Sequence, residues 1–278
     1  MENTSNAYEP FTEISFYVVA HADDWQLFMQ PNVYNDLVAP AGKVVCIITT
    51  AGDAGADETY WIAREEGAKS SLRYCLAPLT SLSQSSGTRE FNYHTINFWS
   101  ANNATFYFLR LPDANLDGKG FSEQHYQSLS KLRKGQISTI TAIDNSATYH
   151  TWPDFYTTLQ TIILSESRGI SNIWINYLNP DTNTNPNDHP DHITTGQAIQ
   201  AMTIISDLRQ ALFIGYNVSN AQENLLLTDL FWKAGMFAAY EKAVFDSSGY
   251  STLHEGIHTY LRWCLSSANF ITSNPGIR

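Results

Sequence analysis

Positive charge is scarce in this chain: 16 Lys and Arg stand against 27 Asp and Glu, a formal net charge of −11. No basic stripe is present to neutralise phosphates, which argues against nucleic acid and against anionic membrane surfaces as partners. Long apolar runs are also missing, and none approaches the roughly 18 residues that a membrane span needs. The opening residues are polar and show no basic segment leading into an apolar one, so no secretory signal is visible and a cytoplasmic location is expected. Cys46, Cys75 and Cys264 are far apart and form no C-x-x-C pair, which sets aside a disulfide framework and a thiolate zinc site. No G-x-G-x-x-G follows the first apolar run, which disfavours a dinucleotide-binding enzyme.

What is present is an alternation. Residues 14–20 (ISFYVVA), 43–49 (KVVCIIT), 104–111 (ATFYFLRL) and 170–178 (ISNIWINYL) are β-branched and aromatic runs of strand length. They read as strands buried on both faces. Between them lie helical stretches at 25–37, 60–76 and 152–167, the first with a break expected at Pro31. A helix from Pro190 through about Arg209, a strand over 211–218 and helices over 225–244 and 252–270 complete the expected order. The Ser-rich segment 80–89 reads as a surface loop. The fold class is therefore α/β: a Rossmann-like, open, mostly parallel sheet with helices on both faces. One domain is expected over residues 1–278, with 211–278 the part whose role is least defined. In such sheets ligands sit outside the carboxyl ends of the strands. His21–Asp24, Gly52–Gly55, Asp113 and His189–His192 all follow strands and should converge on one rim.

Two of these segments share a spacing, His21-Ala-Asp23-Asp24 and His189-Pro-Asp191-His192. Positions three apart on a turn lie on the same side, so each segment can present two groups to one point. Two histidines and a carboxylate meet the usual count for catalytic zinc, which keeps a further position open.

At these residues the chain resembles the PIG-L (LmbE-like) family of zinc-dependent de-N-acetylases. That family carries A-H-P-D-D after its first strand and H-P-D-H after a later one. Here the first reads Ala20-His21-Ala22-Asp23-Asp24, and the second is intact. The resemblance extends through Thr50–Gly55, Arg64 with Glu65 and Glu66, and Leu111-Pro112-Asp113. It covers roughly the first 210 residues. It implies that His21, Asp24 and His192 bind zinc (Zn2+), that Asp23 is the general base, and that His189 stabilises an oxyanion or donates a proton. Arg64 and Asp113 would contact substrate, while Asp191 would stand behind the ligands and orient an imidazole. The implied substrate is a small N-acyl amino sugar or glycoconjugate, losing an acetyl group from its amide nitrogen. The chain departs from the pattern at Ala22 (usually Pro), at Trp25 (commonly Glu) and at Asn187-Asp188, where an aromatic residue is common. Trp25, Tyr60 and Trp61 are candidates for stacking on a sugar face, with ordinary packing as the competing role.

Two other readings stand beside this one. His254-Glu255-Gly256-Ile257-His258 matches H-E-x-x-H, the zincin pattern. No Asp, Glu or His follows His258 to serve as a third ligand, which weighs against a metallopeptidase. A sugar-binding relative without catalysis is the other alternative, and the retained Asp23 weighs against that.

Overall fold

The computed structural model describes residues 11–267 and 269–272. An eight-stranded sheet forms its frame. Chain order runs β1 (Glu13–Val19), α1 (Asp24–Phe28), α2 (Asn32–Val38), β2 (Gly42–Thr50), α3 (Glu58–Leu76), β3 (Gln84–Phe91), β4 (His94–Ala101) and β5 (Ala104–Leu111). Next come α4 (Leu129–Arg133), the short pair β6 (Ile140–Thr141) and β7 (Thr148–Tyr149), α5 (Trp152–Glu166), β8 (Asn172–Leu178) and α6 (Pro190–Ala201). The chain continues through β9 (Arg209–Phe213), α7 (Leu227–Ser248), α8 (Leu253–Leu265) and β10 (Asn269–Thr272).

The strand order is β10-β9-β8-β1-β2-β5-β4-β3. The five central strands are mutually parallel, and antiparallel neighbours close both edges. Residues alternate across β1: Ile14, Phe16 and Val18 enter one core with α4, α5 and α6, while Tyr17 and Val19 enter the other with α3 and α7. Both faces are therefore buried, which is why these strands read as unbroken apolar runs. From the central β1 the chain first builds outward through β2 to β5. It then returns to β8 and β9 on the other side, so the switch in direction lies between β1 and β8. The crevice opposite such a switch is where open sheets of this class place ligands.

α3 and α7 pack closely enough to need glycines. A β-carbon on Gly67 would meet the Tyr240 ring at 2.6 Å, and one on Gly235 would meet the Tyr74 hydroxyl at 2.3 Å. That close approach brings Tyr240 over the amino-terminal half of α3.

Three expectations are corrected. Segment 80–89 is not merely a loop, because β3 begins at Gln84 and pairs with β4 along its whole length. Its side chains are exposed except Phe91, so it carries no apolar alternation to reveal it. The helix after Pro190 ends at Ala201 rather than near Arg209; Met202 turns the chain to an extended conformation, and Arg209 already belongs to β9. The final helix stops at Leu265, and β10 follows, antiparallel to β9. The break at Pro31 occurs as expected, between α1 and α2. Among the described residues no helix is long and apolar enough to cross a membrane.

Candidate metal centre and active site

The turn after β1 and the start of α6 meet at the switch point. Asp24 opens α1, and its Oδ2 folds back to accept the backbone N–H of His21 (2.8 Å) and of Ala20 (3.1 Å). The carboxylate is thereby fixed with Oδ1 free to face His192 Nε2, 3.1 Å away. His21 Nδ1 lies 3.1 Å from the same His192 nitrogen and 3.6 Å from Asp24 Oδ1. Ligand atoms at about 2.0–2.1 Å around a tetrahedral zinc lie roughly 3.3 Å from one another. The triangle of His21, Asp24 and His192 therefore has the dimensions of three corners of a zinc tetrahedron, and all three residues are buried.

The far side of each imidazole faces a carboxylate. His192 Nδ1 is 3.0 Å from Asp188 Oδ1, and His21 Nε2 is 3.4 Å from Asp191 Oδ2. A proton held on the rear nitrogen leaves the front lone pair for a cation. Asp188 is itself held by the backbone N–H of Tyr216 (3.1 Å) and the Asn185 amide (2.5 Å). Asp191 Oδ2 accepts from Ala114 N–H at 2.9 Å. His21 Nε2 and Asp191 Oδ1 are buried without a hydrogen-bond partner among the described residues. Buried polar atoms are seldom left so.

Electrostatics point the same way. Burial disfavours charge on His21, yet Asp24, with Asp191 and Asp113, holds its pKa up at about 10. At His192 burial is likewise overcome, by Asp24 and Asp188, and the pKa rises well above the histidine range. Asp24, despite burial, is held well below the carboxylate range by His192 and His21. This donor set draws protons because its carboxylates outnumber its cations. A divalent cation would displace those protons, so the residues present fit a metal.

Asp23 lies one residue away and lines the same cavity of about 310 Å³. Its Oδ1 accepts from Arg64 Nη2 at 2.5 Å. Arg64 spends its other nitrogens on the protein: Nε on the Tyr240 hydroxyl (2.8 Å) and Nη1 on the Gly52 carbonyl (2.6 Å). Gly52 has φ +57°, and a β-carbon there would collide with the guanidinium at 2.3 Å. Arg64 thus touches the cavity but is turned toward Asp23.

His189 caps α6, its Nδ1 accepting the Asp191 N–H at 3.2 Å. A ring that accepts at Nδ1 is neutral and carries its proton on Nε2, which lies 3.7 Å from Asp113 Oδ1. Burial, with the charges of His21 and His192, pushes its pKa down to about 3. Asp113 is positioned through its backbone N–H, which donates to Asp53 Oδ1 at 3.0 Å.

Part of the cavity wall comes from beyond residue 210, through Tyr216, Thr252, Tyr260 and Trp263. Tyr216 stacks on Trp263 at 4.8 Å between ring centroids and meets His192 edge-on at 5.1 Å. Phe28 meets both His192 and Trp263. Trp25 and Trp61 are not rim residues. Trp25 is buried against Phe106, and Trp61 lies buried beneath Arg110. Tyr60 does line the cavity.

All eight candidate residues, His21, Asp23, Asp24, Arg64, Asp113, His189, Asp191 and His192, fall on this one rim. Sequence reasoning missed Asp188, Asp53, Tyr216 and Tyr240. Asp188 carried a signal, since a carboxylate four residues before a candidate ligand can reach its ring. The side chains of His254 and Glu255 lie outside the described residues. His258 is exposed and belongs to neither of the groups able to hold a metal among the described residues.

No family model matches the sequence, and no curated protein matches it. Six solved chains match in structure. One is an N,N'-diacetylchitobiose deacetylase from Pyrococcus horikoshii complexed with its inhibitor MPG, at 15% identity and a TM-score of 0.40. The match covers 86% of this chain and 73% of that one.

Proposed function

We propose that this chain is a zinc-dependent amidohydrolase that removes an acetyl group from the amide nitrogen of a small N-acyl amino sugar or glycoconjugate. The observation that carries the reading is the triangle of His21 Nδ1, Asp24 Oδ1 and His192 Nε2, 3.1–3.6 Å on a side, beside a buried Asp23–Arg64 pair. The A-H-x-D-D and H-P-D-H resemblance supports the choice of an amide as the bond broken. Residues 1–278 are read as one domain, since the sheet runs from β3 to β10 and the carboxyl-terminal helices wall the site.

His21, Asp24 and His192 hold the metal, oriented by Asp191 and Asp188. When bound, zinc supplies Lewis acidity, making an acyl carbon more electrophilic and water more acidic. Asp23 takes the proton of the attacking water at Oδ2, its Oδ1 being engaged by Arg64. That proton then passes to the leaving nitrogen. His189 offers its Nε2 hydrogen to the charge that develops on the acyl oxygen, and its Nδ1 bond to the α6 backbone keeps that hydrogen facing the cavity. Asp113 accepts from a substrate hydroxyl. Tyr60 and Trp263 exclude water from the reacting face.

The test is acetate release from a panel of N-acetylglucosaminyl compounds, after chelation and again after zinc is restored. The purified chain should hold about one zinc, and zinc should restore release. Cleavage of ester or peptide substrates by the same centre, with no acetate released, would leave a metallohydrolase but reject the de-N-acetylase.

A further inference from the structure

The His21 ring has two nitrogens, and the triangle uses only one of them. Nδ1 faces Asp24 and His192. Nε2, on the far edge of the ring, faces a second group of donors, with Asp191 Oδ2 at 3.4 Å and Asp113 Oδ2 at 3.9 Å. His189 closes this group. Its ring meets the His21 ring edge-on at 4.7 Å between centroids, and its Nε2 lies 3.7 Å from Asp113 Oδ1. His21, Asp113, His189 and Asp191 each bring a ligand atom within 4.8 Å of the other three, and all four residues are buried.

Two observations separate this group from an ordinary hydrogen-bonded cluster. Its separations of 3.4–3.9 Å are longer than good N–H···O bonds, which run about 2.7–3.2 Å. They begin at the spacing of roughly 3.3 Å between neighbouring ligands of a tetrahedral zinc, so a slight closure would bring the donors onto one ion. The second observation is that His21 Nε2 and Asp191 Oδ1 are buried without a hydrogen-bond partner among the described residues. The unpartnered nitrogen is the one that points into the group. Charge leads to the same place. Asp23, Asp24, Asp113, Asp188 and Asp191 are buried around the two groups, and Arg64 is the sole Lys or Arg among the cavity-lining residues described. One divalent cation in the triangle leaves part of that negative charge unbalanced, and buried charge is costly unless paired. Two imidazoles with two carboxylates are a donor set suited to zinc rather than to magnesium or calcium, which take oxygen ligands.

We propose that His21 Nε2, Asp113, His189 and Asp191 form a second divalent-cation site, back to back with the triangle across the His21 ring. Binding there releases the proton that His21 otherwise keeps on Nε2. The consequence for turnover rests on the function proposed above. A second ion engages His189 and Asp113, the groups that face the acyl oxygen and the substrate hydroxyl. Filling this site therefore stops the reaction that the first ion supports, and zinc is both a requirement and an inhibitor.

The test is zinc binding by the whole chelated chain, followed by calorimetry and by elemental analysis after equilibrium dialysis. Two zinc ions per chain are expected, the second bound more weakly because it enters beside the first. Asp113→Ala should abolish the second ion and keep the first, since Asp113 is no corner of the triangle. His150→Gln and His258→Gln, at exposed histidines, should keep both. One zinc per chain at millimolar zinc overturns the site, as does a second ion that survives Asp113→Ala or is lost from either exposed-histidine variant. If Asp113→Ala loses both ions, Asp113→Asn decides. A first ion retained there with the second weakened by about tenfold or more supports the site, and loss of both overturns it. In the native chain acetate release should rise with the first equivalent. It should then fall by about 10²-fold or more as the second fills, the scale of losing an oxyanion donor. Release that stays level while the second ion binds overturns the inhibitory role. A second ion bound as described, with no acetate released at any zinc content, leaves the site standing and rejects the de-N-acetylase.

Discussion

Two buried carboxylate clusters in this molecule make an instructive pair. Around Glu166, at the end of α5, every oxygen is engaged. Lys43 Nζ lies 2.6 Å from Oε2, Arg89 Nη1 lies 2.6 Å from Oε1, and the Tyr107 hydroxyl also donates to Oε1. At the switch point Asp23, Asp24, Asp113, Asp188 and Asp191 crowd together with Arg64 the sole Lys or Arg among the cavity-lining residues described, and two buried polar atoms are unpartnered. The first cluster is completed by the protein, and such a network ties elements together. The second has donors to spare, enough to hold a metal ion. Burial alone therefore does not mark a functional site; burial with an unbalanced donor set does.

Substitutions should separate the two clusters in graded fashion. His192→Ala removes a corner of the triangle; metal analysis should find no stoichiometric zinc, and turnover should fall to background. Retention of full zinc would break the assignment of the ligands. Asp23→Asn should keep the zinc and lower kcat by about 10²–10⁴-fold, the range for loss of a general base. An unchanged kcat would remove Asp23 from that role. Asp188→Asn should weaken zinc by about 10–100-fold in a chelator competition, because the carboxylate behind His192 is lost while the ligand remains.

Glu166→Gln tests the other cluster. Breaking one partner of a buried pair costs about 3–5 kcal/mol, reduced here because Arg89 is 41% exposed at its side chain, so about 1–3 kcal/mol is expected in denaturant unfolding. Zinc content should not change. Burial raises the Glu166 pKa, but Lys43 and Tyr107, with Arg89, bring it below the ordinary value. A carboxylate with a depressed folded pKa contributes stability above its unfolded pKa and loses it as pH falls through the folded value. The acid limb of the stability profile should accordingly flatten in Glu166→Gln. The smallest effect is expected at Glu255→Gln, which should leave hydrolysis nearly intact. A loss of orders of magnitude with the fold preserved would revive the H-E-x-x-H reading.

The central strands were legible because they are buried on both faces and so appear as unbroken apolar runs. The rim was legible because most of its chemistry sits in two short segments, one directly after β1 and one at the end of the loop that follows β8. β3 was not legible, since an edge strand with solvent-facing side chains needs only backbone pairing and leaves no periodic mark. The supports of the site were hidden for a different reason. Tyr240 reaches Arg64 because α3 and α7 meet at glycines, and Asp188 is close-packed on Gly215, where a β-carbon would lie 2.3 Å from its carboxylate. Such approaches belong to tertiary packing and have no local pattern.

The stack of Trp263 on Tyr216 has an optical consequence. Trp263 donates its indole N–H to the Tyr216 carbonyl at 3.0 Å, and Tyr216 abuts His192. An intrinsic fluorophore is thus built one aromatic ring away from His192, a residue of a group able to hold a metal. Metal binding beside Tyr216 would alter the surroundings of that stack, so the change in indole emission on adding zinc to the chelated chain, compared between the native chain and Trp263→Phe, would report occupancy without a label. On the function proposed above, the chain carries its own gauge of whether the centre is filled.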